Sequence, residues 1–262
     1  MAFYMIGIGL RDESDISIKG LEAVKKCDKV YLENYTSVLN AGVEKLEKLY
    51  SKKIILADRN MVESKSDDIL EDNTAFLVIG DVFGATTHTD LMLRAKKKGL
   101  DVRVINNASV LTAVGITGLE LYKFGRTTSI VFPHENYMPQ SPYDVIKENR
   151  ELGLHTLCLL DIKTAEPSPE DIRKGVDNVQ EPRFMKVNEA IGYLFDIEQM
   201  RDEKVFAENT LCVGCARLGS DNLVIAGKAK DLMSRDFGKA PHCLIIPGRL
   251  HHIEEEALSF YK

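Results

Sequence analysis

Residues 75–105 read AFLVIGDVFGATTHTDLMLRAKKKGLDVRVI, and this stretch decides the fold class. An apolar run over 75–79 breaks into glycine and aspartate, a helical stretch follows over 87–98, and a second apolar run occupies 102–105. Two strand-like runs separated by one helix predict a βαβ unit, whose strands lie parallel. The runs are continuously apolar instead of alternating, as expected of strands covered on both faces. Toward the N-terminus the same rhythm recurs: strands at 3–8, 29–32 and 53–57, helices at 18–27 and 43–50. The prediction is a mainly parallel sheet with helices on both faces.

Downstream the rhythm changes after Tyr122. Strands are expected at 128–132, 155–160, 211–216, 223–227 and 242–246, with helices from about 142 and over 187–200, and a polar insert after the 155–160 strand. Ser141-Pro142-Tyr143-Asp144 and Ser168-Pro169-Glu170-Asp171 each read as a capping serine ahead of a first-turn proline. The chain of 262 residues is therefore divided into an N-terminal α/β domain, 1–122, with a mainly parallel sheet and a C-terminal α/β domain, 123–262, with a mixed sheet. No flexible linker separates the halves, so they are expected to pack closely and leave a cleft.

Composition narrows the function. Hydrophobic residues make up 44% and charged residues 28%, the balance of an ordered globular chain. The opening run is apolar for only about ten residues before charge intervenes, which predicts neither a signal peptide nor a membrane span. A net charge of −6 has the wrong sign for wrapping a phosphate backbone, so nucleic acid is not the expected partner. The five cysteines form an odd set, most of them inside apolar runs such as HTLCLL and PHCLIIPG, which predicts buried free thiols in a reducing cytosol.

Three strand ends carry the candidate ligand site. Ile6-Gly7-Ile8-Gly9-Leu10 places a glycine pair where backbone can approach a ligand, but Asp12 stands where a dinucleotide fingerprint needs its third glycine. Gly80-Asp81-Val82-Phe83-Gly84 follows the 75–79 strand, and Asp81 reads either as an acceptor for ribose hydroxyls or a ligand ammonium, or as a helix cap. Asn107-Ala108-Ser109-Val110 ends a third strand, with Ser109 as an N-cap. In open parallel sheets ligands bind outside the carboxyl ends of strands, so the three turns together specify a small-ligand site without naming the ligand.

Other candidates have plainer readings. Thr87 is either a helix cap or a site residue, and His88 has no second ligand at chelating spacing, so it reads as packing. Cys212 and Cys215 lie three apart in a strand and face opposite ways, which speaks against metal or redox chemistry. His251-His252 reads as a solvated helix start. The chain has no G-x-x-x-x-G-K-[ST] loop, no G-x-S-x-G elbow and no H-E-x-x-H helix.

In order and spacing, the segments YMIGIGLRDESDISIKGLEAVKKCDKVYLENYTS, FLVIGDVFGATTHTDL, NASVLTAVGITGLELYKFG, HTLCLLDIK, TLCVGCARLGSD and PHCLIIPG resemble the diphthine synthase family over nearly the whole chain. The resemblance implies two α/β domains of tetrapyrrole methylase type with the active-site cleft between them, a homodimer, and S-adenosyl-L-methionine as methyl donor, leaving S-adenosyl-L-homocysteine, with no metal. Cofactor contacts implied at matching positions are Leu10, Asp81, Gly84, Ser109 and Val110 in the first half, and Leu160, Leu218 and His242 in the second. Val82 departs from the proline usual after Gly-Asp, and Cys215 from a commoner aliphatic residue. The implied reaction is methylation of the aminocarboxypropyl-histidine intermediate on translation elongation factor 2. The insert over 164–183 resembles the eukaryotic-type members, which implies four methyl transfers, giving diphthine methyl ester. The alternatives are a three-methyl diphthine synthase, a related methyltransferase acting on a tetrapyrrole or ribosomal RNA, a silent module docking on the elongation factor, and a nucleotide-binding oxidoreductase. No general base stands out in the sequence, as suits a displacement that needs alignment and an unprotonated amine.

Overall fold

A computed structural model of the chain describes residues 2–35, 42–133, 137–163 and 181–262. They fall into two compact units, Met1–Ala113 and Val114–Lys262.

In the first unit, β1 (Phe3–Gly7), β2 (Lys29–Glu33), β3 (Ile55–Ala57), β4 (Thr74–Val78) and β5 (Val102–Ile105) form a sheet of order β3-β2-β4-β1-β5. Every strand pair in it is parallel. The helices are α1 (Ile18–Lys26), α2 (Val43–Tyr50), α3 (Arg59–Glu63), α4 (Thr89–Lys97) and the single turn α5 (Val110–Ala113). Alternation along the strands divides the buried side chains between two layers. Ile6, Val30, Leu32, Ala75 and Leu77 pack with Ala23 and Val24 of α1 and Leu46 and Tyr50 of α2. Phe3, Met5, Tyr31, Phe76 and Val78 pack with Val62 of α3 and Leu91 and Ala95 of α4. Period-two side-chain direction thus turns continuous apolar runs into two cores. Helix α1 begins where the Ser17 side chain accepts from the Gly20 amide at 3.1 Å, and it ends on Lys25 and Lys26, whose charge suits a helix C-terminus.

The strand order creates a switch point. From β1 the chain runs to β2, on the far side of β4; from β4 it runs to β5, on the far side of β1. Neighbouring strands whose connections leave in opposite directions open a crevice outside their carboxyl ends.

The second unit holds β6 (Thr128–Ile130), β7 (Thr156–Leu160), β10 (Leu211–Ala216), β11 (Leu223–Lys228) and β12 (His242–Ile246) in the order β11-β10-β12-β7-β6. Only β6 and β7 pair in parallel among these, so the sheet is mixed. A ribbon of β8 (Ile162–Lys163) and β9 (Arg183–Phe184) stands apart. Helix α6 (Ser141–Glu151) contributes Tyr143 and Ile146 to the core, and α7 (Val187–Arg201) contributes Ala190, Ile191, Leu194 and Ile197. Helices α8 (Ala229–Leu232) and α9 (His252–Ser259) complete the described α-helices.

The division falls after Ala113, ahead of the break in rhythm after Tyr122. Residues 114–123 belong with the second unit because α9 and Tyr261 just beyond it hold them. The Glu120 amide donates to Glu254 Oε1 at 2.9 Å, the Tyr261 hydroxyl donates to the Ile116 carbonyl at 2.7 Å, and Gly118 lies against Ala257. Glu254 and His155 are fully buried there: His155 Nε2 is 2.9 Å from Glu254 Oε1, while Lys123 pairs with the other carboxylate oxygen. Because His155 Nδ1 accepts from the Gly248 amide at 3.0 Å, Nε2 carries the ring proton toward the carboxylate.

Two helix starts need correction or setting aside. Ser141 is already inside α6, the N-cap position belongs to Gln140, and no side-chain cap bond forms there. The Ser168 start lies outside the described residues, as does most of the 164–183 insert. His251 does open a helix: its ring accepts at the start of α9, and Glu254 reaches back to its amide at 2.8 Å.

Candidate functional site

At the switch point the first two strand ends are pinned together by backbone. The Gly80 amide donates to the Gly9 carbonyl at 2.8 Å and the Gly9 amide to the Gly80 carbonyl at 3.2 Å. Gly9 is in the left-handed region at φ +83°, and a Cβ there would sit 2.4 Å from Asp15 Cβ, so only glycine allows this turn. Asp15 Oδ2 then accepts from the amides of Leu10, at 3.1 Å, and Arg11, at 2.8 Å, which fixes the loop after β1.

Asp81 ties in the third strand end. Its Oδ1 accepts from the Phe83 amide at 3.0 Å, and its Oδ2 from the Asn107 amide at 2.9 Å and the Asn106 side chain at 3.0 Å. Asn107 Nδ2 donates onward to the carbonyls of Gly7 and Asp15, each at 3.0 Å. Burial on its own raises the Asp81 carboxyl, but hydrogen bonds from Phe83, Asn107, Asn106 and Gly84 outweigh it and hold the group below the ordinary carboxylate value. Asp81 is neither a helix cap nor simply a ligand acceptor; it braces two loops through its own bonds and a third through Asn107.

Gly84 approaches Ser109 so closely that a Cβ on it would fall 2.5 Å from Ser109 Cβ. The Gly80 backbone lies near Leu10 and Ser109. Leu10, Asp81, Gly84 and Ser109 therefore gather in one cluster, with Val110 next to Ser109 at the start of α5. Ser109 occupies the position before α5 as expected, and its amide and carbonyl are both bonded to the Thr112 side chain. Asp15 and Asn107 are the organising residues: the sequence reading placed Asn107 in its third strand-end motif without giving it a role, and did not single out Asp15. The signal for Asp15 was weak, an aspartate a few residues past a glycine pair.

Leu160, Leu218 and His242 lie at one end of the second sheet. Strand β12 runs antiparallel to both its neighbours, so its first residue, His242, pairs with Ala216, the last of β10, and falls beside Leu160, the last of β7. Leu218 follows two residues after β10. All three are buried. His242 Nε2 lies 3.1 Å from the Lys239 carbonyl and donates to it, which leaves Nδ1 a bare acceptor. That Nδ1 is buried with no partner among the described residues. Burial lowers the imidazole below its ordinary value, against the raising influence of the Lys239 and Gly238 carbonyls.

The remaining candidates are structural. His88, 1% exposed, is packed edge-on against Phe76, with Nδ1 3.3 Å from the Val82 carbonyl and Nε2 3.4 Å from the Tyr35 hydroxyl. Thr87 precedes His88, which holds the N-cap position of α4, and caps nothing with its side chain. All five cysteines are buried and unbridged. Cys215 stands opposite Cys243 across the β10–β12 ladder, while Cys212 belongs to the core on the other face, as the strand period requires. Among the described residues no group of three or more His, Cys, Asp or Glu is placed to hold a metal ion.

The chain resembles known proteins along its whole length. The family model of the tetrapyrrole (corrin/porphyrin) methylases matches residues 2–232. A diphthine methyl ester synthase of Dictyostelium discoideum is 50% identical over 269 residues, covering 100% of this chain and 98% of that protein. The human protein of the same name is 50% identical over 268 residues, covering 98% and 94%. The crystal structure of a diphthine synthase superposes with a TM-score of 0.83 at 33% identity, covering 98% of this chain and 94% of its own. With the parallel first sheet, the mixed second sheet and the clustered strand ends already in place, these matches establish that the chain is a methyltransferase belonging to the tetrapyrrole methylase family, in its diphthine synthase branch.

Proposed function

We propose that this methyltransferase uses S-adenosyl-L-methionine to methylate the aminocarboxypropyl-histidine intermediate on translation elongation factor 2, giving diphthine methyl ester by four methyl transfers. The observation that carries the reading is the interlocked strand-end cluster of the first unit, found in a chain similar over its full length to diphthine methyl ester synthases.

The residues suit the cofactor. Gly84 lets the β4–α4 loop pack directly on Ser109, which draws two of the proposed contact residues together, and the ionised Asp81 braces that loop. In the second unit, the buried Nδ1 of His242 lacks a donor, which an amine or hydroxyl of an adenosyl group supplies. Leu160 and Leu218 offer apolar surface at the same sheet end. We assign Leu10, Asp81, Gly84, Ser109, Val110, Leu160, Leu218 and His242 to cofactor binding. The bound sulfonium supplies an activated methyl group for in-line displacement.

What the protein contributes is alignment. Holding an acceptor at near-attack distance is worth roughly 7–11 kcal/mol of such a barrier. The acceptor amine must be unprotonated, and transfer from water to a low-dielectric site favours its neutral form. The acceptor carboxylate needs no proton removed. No catalytic residue is assigned.

We place the enzyme in the cytoplasm as a homodimer; its thiols are free, and no helix among the described residues is long and apolar enough to cross a membrane. Intact-mass analysis of precursor-loaded elongation factor 2 after incubation with enzyme and donor tests the proposal. Gain of four methyl groups, one lost on mild alkaline treatment as an ester, is expected. Three alkali-stable methyl groups would reduce the product to diphthine, and no gain would remove the substrate assignment.

A further inference from the structure

The loop that leaves β1 carries Leu10, and a side chain from another strand end closes it. Asn107, two residues past β5, donates through Nδ2 to the Gly7 carbonyl and to the Asp15 carbonyl, each at 3.0 Å. Those carbonyls stand at the start and the end of the loop, so one side-chain amide clasps residues 8–14 between them. Among the described residues, the hydrogen bonds made by Leu10 to Ser14 all stay inside the loop: the Leu10 and Arg11 amides donate to Asp15 Oδ2, and Ser14 donates to Asp12. The loop is therefore bonded into a unit that has few ties outward. At its near end the Gly9–Gly80 backbone pair holds it, and at its far end the bond from Asn107 to Asp15 does.

The chemistry of this clasp calls for asparagine. Both Nδ2 hydrogens are used on the two carbonyls, Oδ1 accepts from the Ala108 amide at 2.8 Å, and the Asn107 backbone amide donates to Asp81 Oδ2 at 2.9 Å. With both side-chain donors spent on the protein, Asn107 has none left for a ligand. Gly7 makes the approach possible, because a Cβ there would lie 2.6 Å from the Gly80 carbonyl oxygen and 3.0 Å from Asn107 Cβ. Aspartate has the same shape but replaces the two donors with oxygen, and alanine supplies neither donor.

Resting on the function proposed above, we infer that Asn107 is a positioning residue of the methyl-donor site, acting through the loop it clasps. By fixing both ends of that loop to the end of β5, it holds Leu10 against the Gly80 backbone, beside Ser109 and the Asp81 brace. Without the clasp the far end of the loop is released, and Leu10 no longer keeps a set distance from the other contact residues. The loss falls on donor binding, since preformed loops spare a ligand the cost of ordering them.

The test is calorimetric titration of S-adenosyl-L-methionine into the full chain at pH 8 and at pH 6, with each variant compared to wild type at the same pH. Asn107→Ala removes both donated bonds at either pH, and its Kd is expected to rise roughly tenfold or more. Asn107→Asp keeps the acceptor for the Ala108 amide and sets a carboxylate against two carbonyls, with Asp81 and Asp15 as its ionisable neighbours. Those surroundings disfavour its charge, so the new carboxyl takes up a proton as pH falls and one donated bond returns. Its Kd relative to wild type is expected to shrink between pH 8 and pH 6, a recovery that lost packing does not produce. Glu254→Gln weakens the fold of the second unit without touching this loop and is expected to bind the donor like wild type. Wild-type affinity in Asn107→Ala overturns the inference. So does an equal loss in Glu254→Gln, which would make the effect one of general stability, and so does a weakened Asn107→Asp whose ratio ignores pH. In each of those cases the wild-type enzyme still binds the donor; a wild-type enzyme that does not bind it overturns the cofactor assignment as well.

Discussion

Asp81 shows how much one side chain can organise. It accepts from three groups on two loops, and Asn107, which it positions, reaches the third. Asp81→Ala is expected to cost about 1–3 kcal/mol of stability through its unmatched donors and to weaken S-adenosyl-L-methionine binding by a larger factor, because the loops lose their common anchor. Titration calorimetry finding wild-type affinity would take Asp81 out of the site. Glu254 is the matching residue of the second unit. Burial alone raises its carboxyl, yet Lys123, the amides of Glu120 and His251, and His155 bring it down to about 2. A depressed carboxyl stabilises the fold above its unfolded value and loses that contribution as pH falls through the folded value. Glu254 therefore supplies on the order of 3 kcal/mol near neutrality, and the loss runs from about pH 4.5 down to about 2. Glu254→Gln is expected to remove most of this at pH 7 and progressively less at acid pH, as followed by urea unfolding; an equal penalty at pH 7 and pH 3 would contradict the pairing. Neither brace could be read from sequence. The bonds of Asn107 span 100 and 92 residues, and that between His155 and Glu254 spans 99, so no local pattern announces them.

At the scale of elements, periodicity was informative. The strands at 211–216 and 242–246 and the helix at 43–50 are found at the expected bounds, because apolar runs and their glycine or proline borders are local facts. Caps were less legible. Ser17 and Asp58 open their helices with side-chain bonds, whereas Ser141 does not, since the backbone there enters the helix one residue earlier. The single turn α5 depends on packing in place of length, as helices this short do. Close approach between the β4–α4 loop and the residue before α5 gives the element-scale prediction. Gly84→Ala forces a Cβ to 2.5 Å from Ser109 Cβ, so one loop must move. The expected result is a fall in donor affinity with helix content unchanged by circular dichroism. Full affinity in this variant would show that the contact between the two loops does not shape the ligand site.

For the whole molecule, the parallel sheet followed by the mixed sheet was legible from the change in rhythm, but the position of the division was not. The residues around Gly118 join the second unit through contacts with α9 and with Tyr261 beyond it, more than 130 residues away, and only the fold reveals that. A ligand that binds only the folded chain stabilises it by mass action, by about 2.7 kcal/mol at a hundredfold excess over Kd. S-adenosyl-L-methionine at that ratio is expected to raise the melting temperature by roughly 5–10 °C, and an absent shift in a thermal melt would argue against cofactor binding.

The thiols of the second sheet provide a built-in reporter. Cys158, Cys212 and Cys215 are sealed inside the strands, and burial pushes the first two far above ordinary thiol values. A pulse of alkylating reagent on the native enzyme should leave them untouched, so whatever label they collect counts the fraction of time that sheet spends open.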